Sequence, residues 1–358
     1  MYRYEDIKTI HLEVTQNCQA SCPMCDRNIN GGALNPHINL AELSLEDCKF
    51  IFKPDFIAQL NTMYMCGNLG DPIVAKDTLE IFKYFREHNE KMWLSMNTNA
   101  GAKSADWWRE LATVFGRMGA VIFSVDGLKD TNHLYRQGVV WNNVERNMRA
   151  FIDAGGRARW DFLIFKHNEH QVEEAESIAN EWGCEKFIKK KSGRFITATS
   201  KKKESHQAVD RKGNETTKLK KPEEKYLNKA LGKQDVLLEK YGSMEAYYDV
   251  VPIHCKVKTD NSLFITAEGL ALPCCWTAGR MYKWWNKDPK IEQIWDHIDA
   301  VGGKQSLNAR VGLDQVFETG IFDRIESSWN VKGCNNGKLK VCSMKCGVEF
   351  DPFAEQFK

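Results

Sequence analysis

The chain has 358 residues, a net charge of +2 and 42% hydrophobic residues, which is enough for one large domain or two ordinary ones with ample core. No run of about 18 apolar residues occurs, so no membrane-spanning helix is expected, and the opening MYRYEDIKTIHLEV lacks the apolar stretch of a signal peptide. The expected location is a reducing cytoplasm, where 12 cysteines read as metal ligands or core residues, not as disulfides.

In chain order, strands are expected at IHLEV (10–14), MYMCG (63–67), WLSMN (93–97), AVIFSV (120–125) and RWDFLIFK (159–166). Amphipathic helices are expected at 44–60, 77–89, 105–119 and 141–156, and a sixth unit runs from 172–184 into KFIKK (186–190). Apolar strands alternating with such helices specify a parallel sheet with right-handed crossovers, hence a barrel or part of one. In these folds the chemistry sits where the strands end and the following loops begin.

The loop after the first strand carries CQASCPMC, with Cys18, Cys22 and Cys25. Three thiols are too many for one disulfide and one too few for a closed zinc site. Thiolates suit iron–sulfur chemistry, and three of them can hold three irons of a [4Fe–4S] cube, leaving the fourth iron open to a small molecule. The CxxxCxxC spacing, placed after LEVT and followed by Asp26-Arg27, resembles the hallmark of the radical S-adenosylmethionine superfamily.

Further segments match that resemblance in order. GNLGDP (67–72) resembles the superfamily's GGEP-type loop, with Gly67, Asn68, Gly70 and Asp71 as candidates for contacting S-adenosylmethionine; Asp71 takes the place of the usual Glu. NTNA (97–100) places Asn97 at the third strand's end, and SVDG (124–127) places Ser124 and Asp126 at the fourth. The resemblance implies that Ser124 and Asp126 lie near the ribose hydroxyls, that Arg136 pairs with the methionine carboxylate and that Met24 packs near the adenine. His167, at the end of the fifth strand, reads equally as an active-site residue and as a plain loop residue.

Between Lys189 and Lys240 there are 16 Lys or Arg against 7 Asp or Glu, a surplus of +9 that leaves −7 for the remainder. This tract reads as a solvated insertion with short helices and loops, or as a docking surface for an acidic peptide or nucleic acid. Beyond it, two strand-like runs flank AEG (267–269), a hairpin signal. Cys255, Gly269 and Cys274 form a C-x13-G-x4-C pattern, and Cys334, Cys342 and Cys346 follow. The pattern resembles the opening of SPASM/twitch domains. It implies one auxiliary [4Fe–4S] cluster on Cys255, Cys274, Cys342 and Cys346, with Cys334 and Cys275 as spare thiols; a structural zinc site on the same four is the plainer alternative. Cys48, Cys66 and Cys184 read as buried small hydrophobes.

The resemblance therefore implies an α/β protein. A partial (β/α)6 TIM-like barrel of the radical S-adenosylmethionine type spans 1–190, a basic, partly helical insertion 191–250, and a small cysteine-rich α+β twitch/SPASM-like domain 251–358. The implied reaction is reductive cleavage of S-adenosylmethionine to a 5′-deoxyadenosyl radical that abstracts hydrogen from a substrate. An external one-electron reductant such as flavodoxin or ferredoxin is implied as a partner. A peptide or protein is the first substrate class expected, with the basic insertion contacting it, and a small molecule or nucleotide is the alternative. A reading of another class, a non-enzymatic zinc-binding RNA-interaction protein, leaves GNLGDP, NTNA and SVDG without a role.

Overall fold

The computed structural model describes residues 1–196 and 203–357; residues 197–202 of the basic insertion lie outside them. Six strands come first: β1 (Thr9–Leu12), β2 (Thr62–Met65), β3 (Trp93–Thr98), β4 (Gly119–Ser124), β5 (Ala158–Ile164) and β6 (Lys186–Lys191). A hairpin of β7 (Ser205–Val209) and β8 (Glu215–Lys220) follows, and β9 (Ser262–Ile265) and β10 (Ala271–Leu272) come last. The main sheet has eight strands in the order β10-β9-β1-β2-β3-β4-β5-β6, parallel throughout except for the β9–β10 pair. Its ends do not meet, so the barrel is open.

Each of the six expected strands forms within a few residues of its place in the sequence. The expected helix 44–60 is cut in two, Leu45–Ile51 and Pro54–Ala58, because Pro54 cannot donate to the preceding turn and forces Lys53 to extended angles of −66° and 153°. Ser44 and Asp47 close a capping box at the first of these. The expected helix 105–119 stops at Phe115, where Gly116 takes φ +51°, and Gly119 already belongs to β4. Trp108, Phe115, Phe123, Phe151 and Trp160 fill the layer between sheet and helices and are almost wholly buried.

The AEG hairpin forms, but it joins the main sheet. Thr9 pairs with Ser262 and Leu12 with Ile265, so β9 extends the barrel on the free side of β1. The helices Ala230–Tyr241 and Met244–Val250 pack with Phe350 in a small second core. Among the described residues no helix is long and apolar enough to cross a membrane.

Candidate active site

Beyond β1 the chain enters a long loop whose backbone is fixed piece by piece. Ser21 N–H donates to Gln137 O at 2.9 Å, Cys25 N–H to Cys22 O at 3.1 Å and Asn28 N–H to Cys25 O at 3.1 Å. Gln16 Oε1 accepts the Asn39 and Ala41 N–H groups at 3.1 and 3.0 Å, tying the start of the loop to its end. Cys18, Cys22 and Cys25 come together here, each within electrostatic reach of another. Donors surround two of the sulfurs. Ala20 N–H lies 3.4 Å and Asn99 Nδ2 3.6 Å from Cys18 Sγ, and Arg136 Nη1 lies 3.9 Å from Cys22 Sγ. Burial pushes the Cys22 thiol up and the Arg136 guanidinium works against it. Cys25 Sγ faces the Asn68 carbonyl at 3.8 Å.

The GNLGDP loop folds tightly against this one. A Cβ on Gly70 would stand 1.9 Å from Thr15 O, and one on Gly67 would stand 2.0 Å from Gly70 O, so the close approach requires glycine at both positions. Two carboxylates organise the loop from inside. Glu13 Oε1 accepts Leu69 N–H at 2.6 Å, and burial pushes its carboxyl up to about 7 against hydrogen bonds from Leu69, Asn68 and Gly70. Asp71 links three strand ends: its N–H donates to Asn17 O at 2.9 Å, and its carboxylate accepts Asn99 N–H at 2.8 Å and Ile73 N–H at 3.2 Å.

Asp126 and Arg136 form an ion pair, Nε to Oδ2 at 2.6 Å. The other Asp126 oxygen accepts Leu163 N–H at 2.7 Å, so both oxygens are engaged within the fold. Asn97 and Ser124, half-buried at adjacent strand ends, have no side-chain hydrogen bond among the described residues. Met24 is half-buried in the cysteine loop and its carbonyl accepts from Arg194 Nη1 at 2.5 Å. His167 stacks on Phe165 with ring centroids 5.5 Å apart, and among the described residues neither of its ring nitrogens has a hydrogen-bond partner.

The C-terminal cysteines also gather. Cys255, Cys274, Cys342 and Cys346 line one small apolar cavity with Pro273 and Trp276. Cys255 donates to the Cys346 sulfur, which holds the Cys346 thiol down and the Cys255 thiol up. Cys334 lies with Asp249, whose carboxylate accepts its N–H at 2.6 Å. Cys275 turns toward the barrel: its carbonyl accepts from Asn68 Nδ2 at 3.3 Å, and its thiol neighbours Cys66 and Glu13. Among the described residues no three His, Cys, Asp or Glu side chains converge on a single point as the ligands of one metal ion would.

Three features of the site were not foreseen in the sequence. Asn99, two residues past Asn97 in the same NTNA motif, supplies the amide that reaches Cys18. Glu13 and Gln16 sit in the LEVTQ that precedes the cysteines, and the role of Glu13 depends on a loop some 50 residues away. The third is the basic insertion. The expectation of a solvated excursion does not hold for residues 205–220, which form a hairpin with Ala208 and Leu219 fully buried. The hairpin lies on the cysteine loop: Val209 N–H donates to Asn30 O at 3.0 Å, Arg211 Nη2 to Gln19 O at 2.6 Å, and His206 Nε2 meets Pro23 O at 3.0 Å. Its turn was legible in DRKGN, where Asp210 accepts the Lys212 and Asn214 N–H groups and Gly213 takes φ +87°. Cys66, expected as a plain core residue, faces the barrel interior half-exposed.

No family model matches the sequence, and no curated protein matches it either. Among solved structures, the chain is similar to a polyhistidine-tagged form of anSMEcpe with bound AdoMet, at 13% identity and a TM-score of 0.54 over 98% of this chain and 91% of that one. Native anSMEcpe with bound AdoMet aligns at 13% identity and a TM-score of 0.51 over 98% of this chain and 94% of that one. Streptococcus suis SuiB bound to S-adenosylmethionine aligns at 16% identity with a TM-score of 0.48, and the match covers 76% of this chain but 61% of SuiB. At these identities the anSMEcpe likeness shows the fold alone, a mostly parallel α/β partial barrel.

Proposed function

We propose that this chain is a radical S-adenosylmethionine enzyme, with a [4Fe–4S] cube on Cys18, Cys22 and Cys25 and an auxiliary cluster on Cys255, Cys274, Cys342 and Cys346. One observation carries the reading: three thiols gather on the loop after β1, two of them facing N–H groups of Ala20, Asn99 and Arg136, beside a loop drawn tight by Glu13 and Asp71. Donors of that kind suit sulfur that must carry charge in a cluster. When bound and reduced, the cube supplies the electron that splits S-adenosylmethionine into methionine and a 5′-deoxyadenosyl radical, which takes hydrogen from the substrate.

The remaining work belongs to the chain's own residues. Arg136 is fixed by Asp126 through Nε, which leaves its outer nitrogens aimed at the cysteine loop, where they can hold a carboxylate. The GNLGDP backbone, kept in place by Glu13 and Asp71, offers carbonyls to an ammonium. Asn97 and Ser124 offer polar groups to a nucleoside. The hairpin covers the cysteine loop and limits access of water. An external reductant of the flavodoxin or ferredoxin kind supplies electrons from outside the barrel.

Of the two substrate classes, the small molecule has the better support. The basic tract that would dock a peptide is engaged with the cysteine loop, and the C-terminal turn Ala354–Phe357 packs along β6, with the Phe357 ring 5.0 Å from Lys190 Nζ. These two elements narrow the approaches to the interior.

The test is anaerobic reconstitution with iron and sulfide. About eight irons per chain are expected for two cubes, together with reductive formation of 5′-deoxyadenosine that disappears in Cys22→Ala. Cys342→Ala should lose about half the iron and still bind S-adenosylmethionine. Stoichiometric zinc without iron would reject the reading.

A further inference from the structure

The inner face of the barrel is polar where a packed barrel is aliphatic. Tyr64, Cys66, Ser124, Arg159 and Asp161 alternate with buried apolar residues along their strands and face inward. Lys190 pairs with Leu163 in the parallel register and joins them from β6. Asp161 is held by Arg159 through two bonds, Nε to Oδ1 at 2.5 Å and Nη2 to Oδ2 at 3.0 Å. Lys190 Nζ stands 3.6 Å from the same carboxylate, a second cation on an acid already matched.

Two more cations stand near it. Arg194, three residues past β6, gives one nitrogen to Met24 O and has no carboxylate within ion-pair distance among the described residues. It lies within electrostatic reach of both Lys190 and Asp26. Lys345 comes from the C-terminal helix and has neither a hydrogen bond nor an ion pair among the described residues; its Nζ is 5.9 Å from the Trp276 ring. The Asp26 carboxylate is the shared neighbour of Arg194, Arg280 and Lys345; Arg280 also pairs with Glu292 at 3.8 Å, which leaves Arg194 and Lys345 to one acid. Burial pushes the Lys190 ammonium down, against the upward pull of the Asp161 and Asp126 carboxylates. Desolvated cations left without anions are costly to keep.

We propose that this chamber recognises its substrate by an oxyanion group, a carboxylate or a phosphate, seated among Lys190, Arg194 and Lys345. The inference rests on the proposed reaction only in taking the chamber as the substrate's place. That place lies between the cysteine loop, represented by Met24 and Asp26, and the C-terminal cysteines, represented by Cys275 and Lys345. Arg194 offers a planar fork that matches either oxyanion, and the two lysines offer point charges on either side.

The probes are inorganic pyrophosphate and glutarate, titrated separately by calorimetry into reconstituted protein with S-adenosylmethionine present. Saturable binding is expected, with pyrophosphate alone pointing to a phosphate substrate and glutarate alone to a carboxylate. Lys190→Gln and Arg194→Gln should each weaken that binding about tenfold, and Lys190→Arg should restore most of it. Circular dichroism identifies which variants are folded, and the Lys190→Arg comparison stands even if one Gln variant is lost. No saturable binding of either anion, or equal affinity in wild type and the folded Gln variants, overturns the proposal. Formation of 5′-deoxyadenosine is read in parallel. Cleavage without anion binding rejects this inference alone, and anion binding without cleavage rejects the proposed reaction alone.

Discussion

Arg136 grips Asp126 at 2.6 Å while its Nη1 reaches to within 3.9 Å of Cys22 Sγ, so one guanidinium joins the fourth strand's end to the cysteine loop. Breaking a buried pair strands the remaining charge. Asp126→Ala should therefore cost about 3 kcal/mol in chemical denaturation, and Asp126→Asn, which keeps an acceptor for Leu163 N–H, clearly less. Equal losses in the two variants would mean that the charge, and not the hydrogen bond to Leu163 N–H, matters.

The glycine of closest approach gives a second test. Gly70→Ala must push the loop off Thr15 O, and S-adenosylmethionine binding should fall about tenfold or more, since displaced backbone loses oriented hydrogen bonds. Gly213→Ala is the control. Nothing lies within 4 Å of its Cβ position, so it should lose only about 1 kcal/mol of stability for its φ of +87° and leave binding unchanged.

Glu13 predicts a pH dependence. Burial raises its carboxyl to about 7 from an ordinary 4.5, so in that window the folded protein holds a proton that the unfolded chain has released. Its contribution to stability is present below pH 4.5 and lost as pH rises through 7, by about 3 kcal/mol at the upper end. Glu13→Gln keeps an acceptor for Leu69 N–H and carries no charge. Its melting temperature should gain on wild type between about pH 5 and pH 8, and a constant gap across that range would refute the assignment.

The hairpin gives the fourth. Replacing residues 205–220 by a short Gly-Ser link removes the partners of the Gln19, Pro23 and Asn30 carbonyls. The variant should hold less iron after reconstitution and lose it faster in air than wild type. Retention of iron and cleavage at wild-type levels would return the segment to the solvated excursion that its charge alone suggested.

Much of the barrel was legible because parallel strands leave a local mark: apolar runs of about five or six residues separated by amphipathic helices. The cysteine triad was legible for the same reason, since its spacing is local. Charge misled at 205–220, where alternating residues such as Ala208 and Leu219 bury one face of a hairpin while its lysines stay in water. Glu13 could not be read at all. Its partners Asn68, Leu69 and Gly70 are far away in sequence, and nothing in LEVT distinguishes a buried acid from an exposed one. The placement of β9 beside β1 was hidden likewise, because register between distant strands is decided by packing.

That placement has a consequence for how the molecule is made. Glu13 N–H donates to Ile265 O at 2.9 Å and Tyr2 Oη to Ser262 O at 2.7 Å, so the strand that leads into the cysteine loop completes its pairing only when segments some 250 residues apart have met. During synthesis β1 keeps one bare edge until residues 262–265 have emerged, and contacts so distant form slowly. The nascent chain thus leaves its cysteine loop slack and accessible until that pairing is made. Iron and sulfide delivered by a maturation system would find the open form, and a chain cut before residue 262 would expose a sticky strand in place of a finished site.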